Sequence, residues 1–209
     1  MGKIKFVPLW IAGVCIIFFI FQLTFSGFTE SLVLNQASYM QPWRFVSSIF
    51  LHGGLAHIVF NLFALILFGL ILEKLIGSKK FLILYFVSGI IANLIAINFY
   101  SSSLGASGAI YGVLGCLAVL RPKMVVWVYS LPMPMFVAAI IWVLAGFLGL
   151  FTPSNVGDIA HLSGIGVGFL YGLWLRERKK EVKVVRNYGG LKVTIDESSM
   201  RNWEDQWMR

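Results

Sequence analysis

The sequence predicts an all-α, polytopic membrane protein with six transmembrane helices and a short polar C-terminal tail. Three observations support this fold class. The chain is 58% hydrophobic but only 12% charged, whereas soluble domains carry about 25% charged residues. Its apolar residues fall into six separate segments. Its positive charges lie between those segments, on what would be one side of a membrane.

The six apolar segments differ in length. A spanning helix needs about 20 apolar residues, and most of the segments come close to that length. The fourth has 14 residues and is too short to cross alone. The first is longer than the apolar part of a typical signal peptide and lacks an Ala-x-Ala cleavage site, so we interpret it as an uncleaved anchor. The segments are residues 6–25, 53–76, 81–99, 107–120, 132–151 and 159–175.

The positive charges predict the orientation of the chain. Sixteen of the 17 Lys and Arg residues lie at the N-terminus, in the 74–80 and 121–123 loops or in the tail, and the exception is Arg44. By the positive-inside rule, both termini are cytoplasmic in a multi-pass protein of the cell (inner or plasma) membrane. The net charge of +8 therefore indicates contact with membrane lipids and not nucleic-acid binding.

We expect two parts in the chain, a membrane core at 1–175 and a basic cytoplasmic tail at 176–209. In the tail, the Asn-Tyr-Gly-Gly sequence at 187–190 could turn a small hairpin, and a mobile tail fits equally well. In the core, the apolar stretch 124–131 precedes two prolines. We interpret it as an interfacial stretch on the cytoplasmic side, with the fifth helix starting near the prolines.

Ser107 begins the short fourth segment, within Gly105-Ala106-Ser107-Gly108. Fourteen helical residues reach about 21 Å, against roughly 30 Å of bilayer core. A helix ending at Arg121 therefore leaves Ser107 about 10 Å below the outer surface, and irregular backbone at that depth implies a water-filled cavity or a protein environment. We expect Ser107 at the floor of an outward-facing pocket, where the helix N-terminus can bind an oxyanion. The flanking glycines let the backbone bend sharply. A purely capping role for the Ser107 hydroxyl is an equal alternative.

His161 lies at a matching depth, near the start of the sixth segment. Small residues at four-residue spacing let helix backbones touch, and this would bring His161 to Ser107. Asp158, three residues earlier, is expected to cap the sixth helix with His161 at its third position. The prediction is a Ser–His dyad and not a triad. The glycines are Gly108, Gly112 and Gly115 in the fourth segment and Gly164, Gly168 and Gly172 in the sixth.

His57 and Asn61 are four residues apart and share one face of the second helix. Two side-chain donors there could bind an oxyanion together with the Ser107 N–H. His52 is about 140° away around a helix, so we expect it to fix a loop instead. Tyr111 lies one turn below Ser107 and either packs under the imidazole of the sixth helix or fills the core.

Other intramembrane chemistries fit the sequence less well. A zinc protease would need His-Glu-x-x-His, which is absent, and Glu73 lies about 24 Å from His57 along the second helix. An aspartyl mechanism needs two carboxylates at depth, and Asp158 is the single candidate. An ion pathway would spread ionisable groups through the bundle, whereas the polar groups here lie at one level. We therefore expect no metal site.

Taken together, these residues resemble the rhomboid family of intramembrane serine proteases. The resemblance covers about residues 40–175 and rests on four motifs in order. The motifs are Trp43-Arg44, the run from His52 to Asn61 (His-Gly-Gly-Leu-Ala-His-Ile-Val-Phe-Asn), Gly105-Ala106-Ser107-Gly108 with Tyr111, and Ala160-His161-Leu-Ser-Gly164 with Gly168.

The resemblance implies a rhomboid-like bundle with Ser107 as nucleophile and His161 as base. It implies that His57, Asn61 and the Ser107 amide form the oxyanion site, and that transmembrane proteins are cleaved within or beside their membrane helix. The family needs no cofactor. Two alternatives stay open: a non-proteolytic relative that binds membrane helices, and a membrane acyl hydrolase using the same dyad. A transporter is disfavoured by the single level of polar groups.

Overall fold

The computed structural model describes residues 5–128, 130–150, 157–180, 183–188 and 191–196. These residues are mostly helical, with short paired strands in the connections. The helices are α1 (Val7–Thr24), α2 (Phe28–Leu32), α3 (Arg44–Ser47), α4 (Leu55–Ile76), α5 (Ser78–Ala96), α6 (Ser107–Leu120), α7 (Met135–Gly149) and α8 (Asp158–Lys180), with 3₁₀ turns at Gln36–Tyr39 and Ser48–Phe50. The strands are β1 (Leu34–Asn35), β2 (Ser102–Ser103), β3 (Val125–Val128), β4 (Leu131–Pro134), β5 (Lys183–Tyr188) and β6 (Leu191–Asp196).

Four of the helices, α1, α4, α5 and α8, are long and apolar enough to cross a bilayer. The apolar helices α6 and α7 are shorter, with 14 and 15 residues. Each of the six predicted segments overlaps one of these helices along most of its length, and the predicted shortness of the fourth is confirmed. The prediction that the fifth helix starts near the two prolines is confirmed, because α7 begins at Met135, directly after Pro134.

Helix α6 is the centre of the bundle. Ten of its 14 residues are buried, and α4, α5, α7 and α8 all pack against it. The small residues that α6 carries leave room for close neighbours on every side. A helix enclosed in this way does not have to span the bilayer, because protein surrounds the irregular backbone that precedes it.

Glycines bring α6 and α8 into backbone contact. A Cβ atom placed on Gly164 would overlap the carbonyl oxygen of Gly108, and one placed on Gly168 would overlap that of Gly112. The predicted glycine contact between the fourth and sixth helices is therefore confirmed. Further along the same contact, Gly115 lies against Ile165 and Gly172 lies against Cys116 and Val119.

Arg44 holds together the outer loop between α1 and α4. It is the one positive residue that is not on the predicted cytoplasmic side. Arg44 is buried, and its guanidinium donates to the carbonyl oxygens of Glu30 and Val33 and to the side chain of Gln41. A buried guanidinium needs such partners, so the loop closes around it. Strand β1 of this loop then pairs with β2, directly before α6.

The apolar stretch at 124–131, predicted to lie in the interface, belongs to a β-hairpin. Strands β3 and β4 pair in antiparallel register and alternate their side chains between two faces. Val126 and Val128 are buried in the core, whereas Val125 and Trp127 are exposed. The exposed face is apolar, which agrees with a position in the membrane interface.

The tail also contains a hairpin, because β5 and β6 pair from Lys183 with Asp196 to Tyr188 with Leu191. The two connecting glycines of the predicted turn, 189–190, lie outside the described residues. Helix α8 continues to Lys180, so the boundary between core and tail near residue 175 stays a prediction.

The glycine contact predicts that Gly168→Ala destabilises the protein far more than Gly166→Ala does. The added methyl group of Gly168→Ala must push α8 away from the Gly112 carbonyl, which we expect to cost at least about 2 kcal/mol. Gly166 has open space beside it, and alanine is the better helix former by up to about 1 kcal/mol. Unfolding temperatures in mild detergent measure both effects, and equal temperatures for the two variants would contradict the close contact.

Candidate active site

Ser107 lies at a cavity of about 860 Å³ that opens between α4, α5, α6 and α8. The preceding residue, Ala106, occupies the N-cap position, and the helix begins at Ser107 itself. The alternative that the Ser107 hydroxyl is an N-cap is therefore wrong. The lining residues include Gly53, His57, Asn61, Asn93, Tyr100, Gly105, Ser107, Gly108, Gly157 and His161.

The hydroxyl of Ser107 pairs with the imidazole of His161. The distance between Ser107 Oγ and His161 Nε2 is 2.8 Å, which is a good hydrogen bond. His161 lies in the first turn of α8, so the glycine contact between α6 and α8 sets this distance. The structure thus brings together the two residues that sequence reasoning paired across 54 positions.

Tyr111 fixes the plane of the His161 ring. The two rings are parallel within 4°, and their centroids are 4.2 Å apart. The predicted packing of Tyr111 under the histidine is therefore confirmed. Trp142 of α7 contacts the Tyr111 ring edge-on, with centroids 6.5 Å apart, and supports it from the opposite helix.

Asp158 lies one helical position later than predicted. The carbonyl oxygen of Gly157 accepts the first helical hydrogen bond of α8, from the His161 N–H at 3.0 Å. Gly157 is therefore the N-cap, Asp158 the first helical residue and His161 the fourth. The buried Asp158 carboxylate lies against Gly149 at the end of α7. A negative carboxylate in the first turn still interacts favourably with the positive end of the helix dipole.

His57 and Asn61 both line the cavity from one face of α4, as predicted. The Asn61 amide donates one hydrogen to the carbonyl oxygen of His57, at 2.8 Å, which leaves its second hydrogen available. Gly105 lies between His57 and Ser107, because a Cβ atom there would be 3.0 Å from His57 Nε2 and 3.9 Å from Ser107 Oγ. Its φ of +127° is a conformation that only glycine adopts easily.

Gly108 has a packing role beside the site. A Cβ atom on Gly108 would lie 2.7 Å from the side chain of Ala92, so α5 and α6 approach each other closely just below Ser107. A larger residue would displace the start of α6.

His52 fixes the loop before α4, as expected, and does not line the cavity. Its Nδ1 lies 3.2 Å from the carbonyl oxygen of Phe50, and its ring meets the His57 ring edge-on with centroids 5.2 Å apart. Burial, and secondarily the nearby His57, lower the pKa of His52 from 6.5 to about 4, although the bond to Phe50 partly opposes this.

Sequence reasoning missed three polar side chains around the site. The Tyr100 hydroxyl accepts a hydrogen bond from the Ile159 N–H at the start of α8. The Asn93 amide donates to Ser48 Oγ. Gln22 of α1 contacts the backbone of His52. Asn93 and Gln22 are polar residues in apolar segments and could have been identified from that alone, whereas Tyr100 carries no such signal.

The comparisons with known proteins agree with this geometry. The sequence model of the Rhomboid domain matches residues 39–178, which contain the cavity residues. The chain belongs to the rhomboid family. It is 32% identical over 141 residues to the rhomboid protease GlpG of Yersinia pseudotuberculosis, an alignment that covers 67% of this chain and 50% of that protein. The protein of the same name from Haemophilus influenzae is 29% identical over 179 residues, covering 82% of this chain and 90% of the relative.

The chain thus spans about half the length of the Yersinia relatives that it matches. Its helices and its family make it a multi-pass membrane protein. Among the described residues, no group of three or more His, Cys, Asp or Glu side chains could hold a metal ion. The expectation that the chain needs no metal or cofactor stays a prediction.

The lowered pKa of His52 predicts that acid destabilises the fold. Between pH about 4 and 6.5 the unfolded ring binds a proton that the folded ring does not. The stability that the neutral ring contributes is therefore fully present above pH about 6.5 and is lost as the pH falls. We expect the unfolding temperature to fall less steeply with acid in His52→Gln than in the wild type. If the unfolding temperatures of His52→Gln and the wild type fell equally steeply with acid, this role of His52 would be contradicted.

Proposed function

We propose that this chain is an intramembrane serine protease that uses Ser107 as nucleophile and His161 as general base. The observation that carries the proposal is the hydrogen bond of 2.8 Å between the two side chains at the edge of a large cavity. The names of the relatives, rhomboid proteases, support the same activity. A serine hydroxyl needs an adjacent base to become a strong nucleophile, and His161 is positioned to act as one.

The reaction follows the general acyl-transfer scheme. Ser107 Oγ attacks the scissile carbonyl carbon while its proton passes to His161 Nε2. The protonated imidazole then donates that proton to the nitrogen of the leaving peptide, and the C–N bond breaks. A water molecule attacks the resulting ester, again with His161 accepting its proton. This step releases the acid product and restores the Ser107 hydroxyl.

The oxyanion of the tetrahedral intermediate has three donors within reach. The backbone N–H of Ser107 is free of helical bonds because Ser107 is the first residue of α6. His57 Nε2 lies beside Ser107 across Gly105, and the free hydrogen of the Asn61 amide completes the set. Preorganised donors of this kind stabilise charge that develops only during the reaction.

The substrates are transmembrane proteins, cleaved within or beside their membrane helix. A helix that enters from the lipid must unwind before its backbone can reach Ser107. The non-helical backbone from β2 to Gly105 lines the cavity and offers space beside Ser107 for an unwound segment. Water reaches the site through the cavity from the outer side of the membrane.

The proposed topology has six transmembrane helices, α1, α4, α5, α6, α7 and α8, of which the short α6 is enclosed by the others and does not have to span the bilayer core alone. Both termini face the cytoplasm of a cell (inner or plasma) membrane, because the clusters of positive charge lie at that end. The membrane core comprises residues 1–175 and the basic tail 176–209, which contacts lipid headgroups.

A fluorophosphonate tests the nucleophile without a known substrate. We expect intact-mass measurement to find one adduct per chain on wild-type protein in mild detergent. Ser107→Ala and His161→Ala should give none, because the first lacks the nucleophile and the second lacks its base. Thermal unfolding of both variants serves as the control for folding. An unlabelled, folded wild type that also resists a smaller serine-reactive probe would instead favour the non-catalytic helix-binding alternative.

The oxyanion donors and Asp158 predict graded losses of activity. Asn61→Ala should lower turnover by about 10- to 1,000-fold, since it removes one donor among several.

Asp158→Asn should keep most of the activity, because the carboxylate lies against Gly149 and supports α8. The rate of probe labelling measures both. Full activity in Asn61→Ala, or a loss in Asp158→Asn as deep as in His161→Ala, would contradict these roles.

A further inference from the structure

Gln22 of α1 forms a two-way hydrogen-bonded contact with the backbone of His52. Its side-chain oxygen accepts from the His52 N–H at 2.9 Å, and its amide nitrogen donates to the His52 carbonyl oxygen at 3.2 Å. The second amide hydrogen goes to Thr29 Oγ1 at 3.1 Å. Both polar atoms of the Gln22 side chain are therefore hydrogen-bonded. The side chain pairs with the N–H and the C=O of His52, as the backbone of a neighbouring β-strand would.

This contact holds the backbone that immediately precedes a site residue. Gly53 follows His52, and the Gly53 N–H donates to His57 Nδ1 at 3.2 Å. His52 is also held by its own ring, which bonds to the carbonyl oxygen of Phe50. Gln22 thus fixes the direction in which the Gly53 N–H points, although it lies on a different helix from His57.

The bond from Gly53 determines the tautomer of His57. A ring nitrogen that accepts a hydrogen bond carries no proton, so the proton of the His57 ring is on Nε2. Nε2 is the atom that lies beside Gly105 and Ser107. The tautomer selected by Gly53 therefore directs an N–H donor into the cavity. The other tautomer would present a lone pair there and could not bind an oxyanion.

We infer that Gln22 is a positioning residue, which holds the His52–Gly53 backbone so that His57 keeps its proton on Nε2. This inference rests on the proposed oxyanion role of His57. Helix α1 then has a role in the site, although it precedes residues 39–178, which match the family. Gln22 touches neither the reacting atoms nor the cavity, so its effect passes through His57.

The tautomer can be measured directly because the chain has only three histidines. Full-length protein labelled with ¹⁵N-histidine gives three pairs of ring-nitrogen signals, which single His→Gln variants assign. We expect wild-type His57 to show an unprotonated Nδ1 and a protonated Nε2. Gln22→Met, which keeps the side-chain length but loses all three bonds, should show a mixture of tautomers. It should also lower kcat by about 10-fold with little change in KM.

Two further variants separate positioning from general damage to α1. Thr29→Val removes one partner of Gln22 but leaves both His52 bonds, so it should keep the wild-type tautomer and kcat. Gln22→Glu keeps an oxygen that can accept from the His52 N–H, and it should lose less than Gln22→Met. A single Nε2–H tautomer in folded Gln22→Met, or a wild-type His57 protonated on Nδ1, would overturn the inference. Equal losses in Gln22→Met and Gln22→Glu would also overturn it.

The tautomer measurement is independent of the proposed function. If the tautomer shifts in Gln22→Met but no probe reacts with wild-type Ser107, the positioning by Gln22 is supported and the protease proposal fails. If the probe reacts and the tautomer is unchanged in Gln22→Met, the protease proposal stands and the positioning is wrong.

Discussion

The backbone contact between α6 and α8 is the constraint on which the rest of the site depends. Ser107 begins α6 and His161 lies in the first turn of α8, and their side chains are too short to meet unless the helices nearly touch. Glycines permit that approach, since a methyl group at Gly164 or Gly168 would overlap a carbonyl oxygen of α6. Membrane helices gain little from burying apolar surface against each other, so close packing stabilises this pair of helices. The short distance between Ser107 Oγ and His161 Nε2 is a consequence of that packing.

The second organising feature is the pairing of polar side chains with backbone carbonyl oxygens. The side chains of Gln22, Arg44, Asn61 and Asn93 all bond to backbone carbonyl oxygens. Unpaired, each would be costly away from water. Paired, they hold the irregular backbone that surrounds the short α6. The polar walls of the cavity are tolerated because protein, and not lipid, surrounds them.

Much of this arrangement could be predicted from the sequence, because its signals are local or periodic. The short fourth segment indicated the depth of Ser107, and glycine spacing indicated which helices touch. The role of Tyr100 could not be predicted, because its bond to Ile159 joins residues 59 positions apart without any pattern. Asp158 was misplaced by one position because helix starts depend on the cap, and Gly157 gave no side-chain signal. The β3–β4 hairpin was missed because prolines usually disfavour strands.

Cleavage in proteoliposomes distinguishes a peptide-bond hydrolase that works inside the bilayer from the alternatives. Membrane-anchored reporter proteins with helices of differing stability would be reconstituted with the enzyme, and the products of both protein and lipid would be identified by mass. We expect peptide cleavage near the outer end of a weakly helical segment by wild-type protein, and none by Ser107→Ala. Release of fatty acids from lipid with every reporter intact would contradict it and would favour an acyl hydrolase.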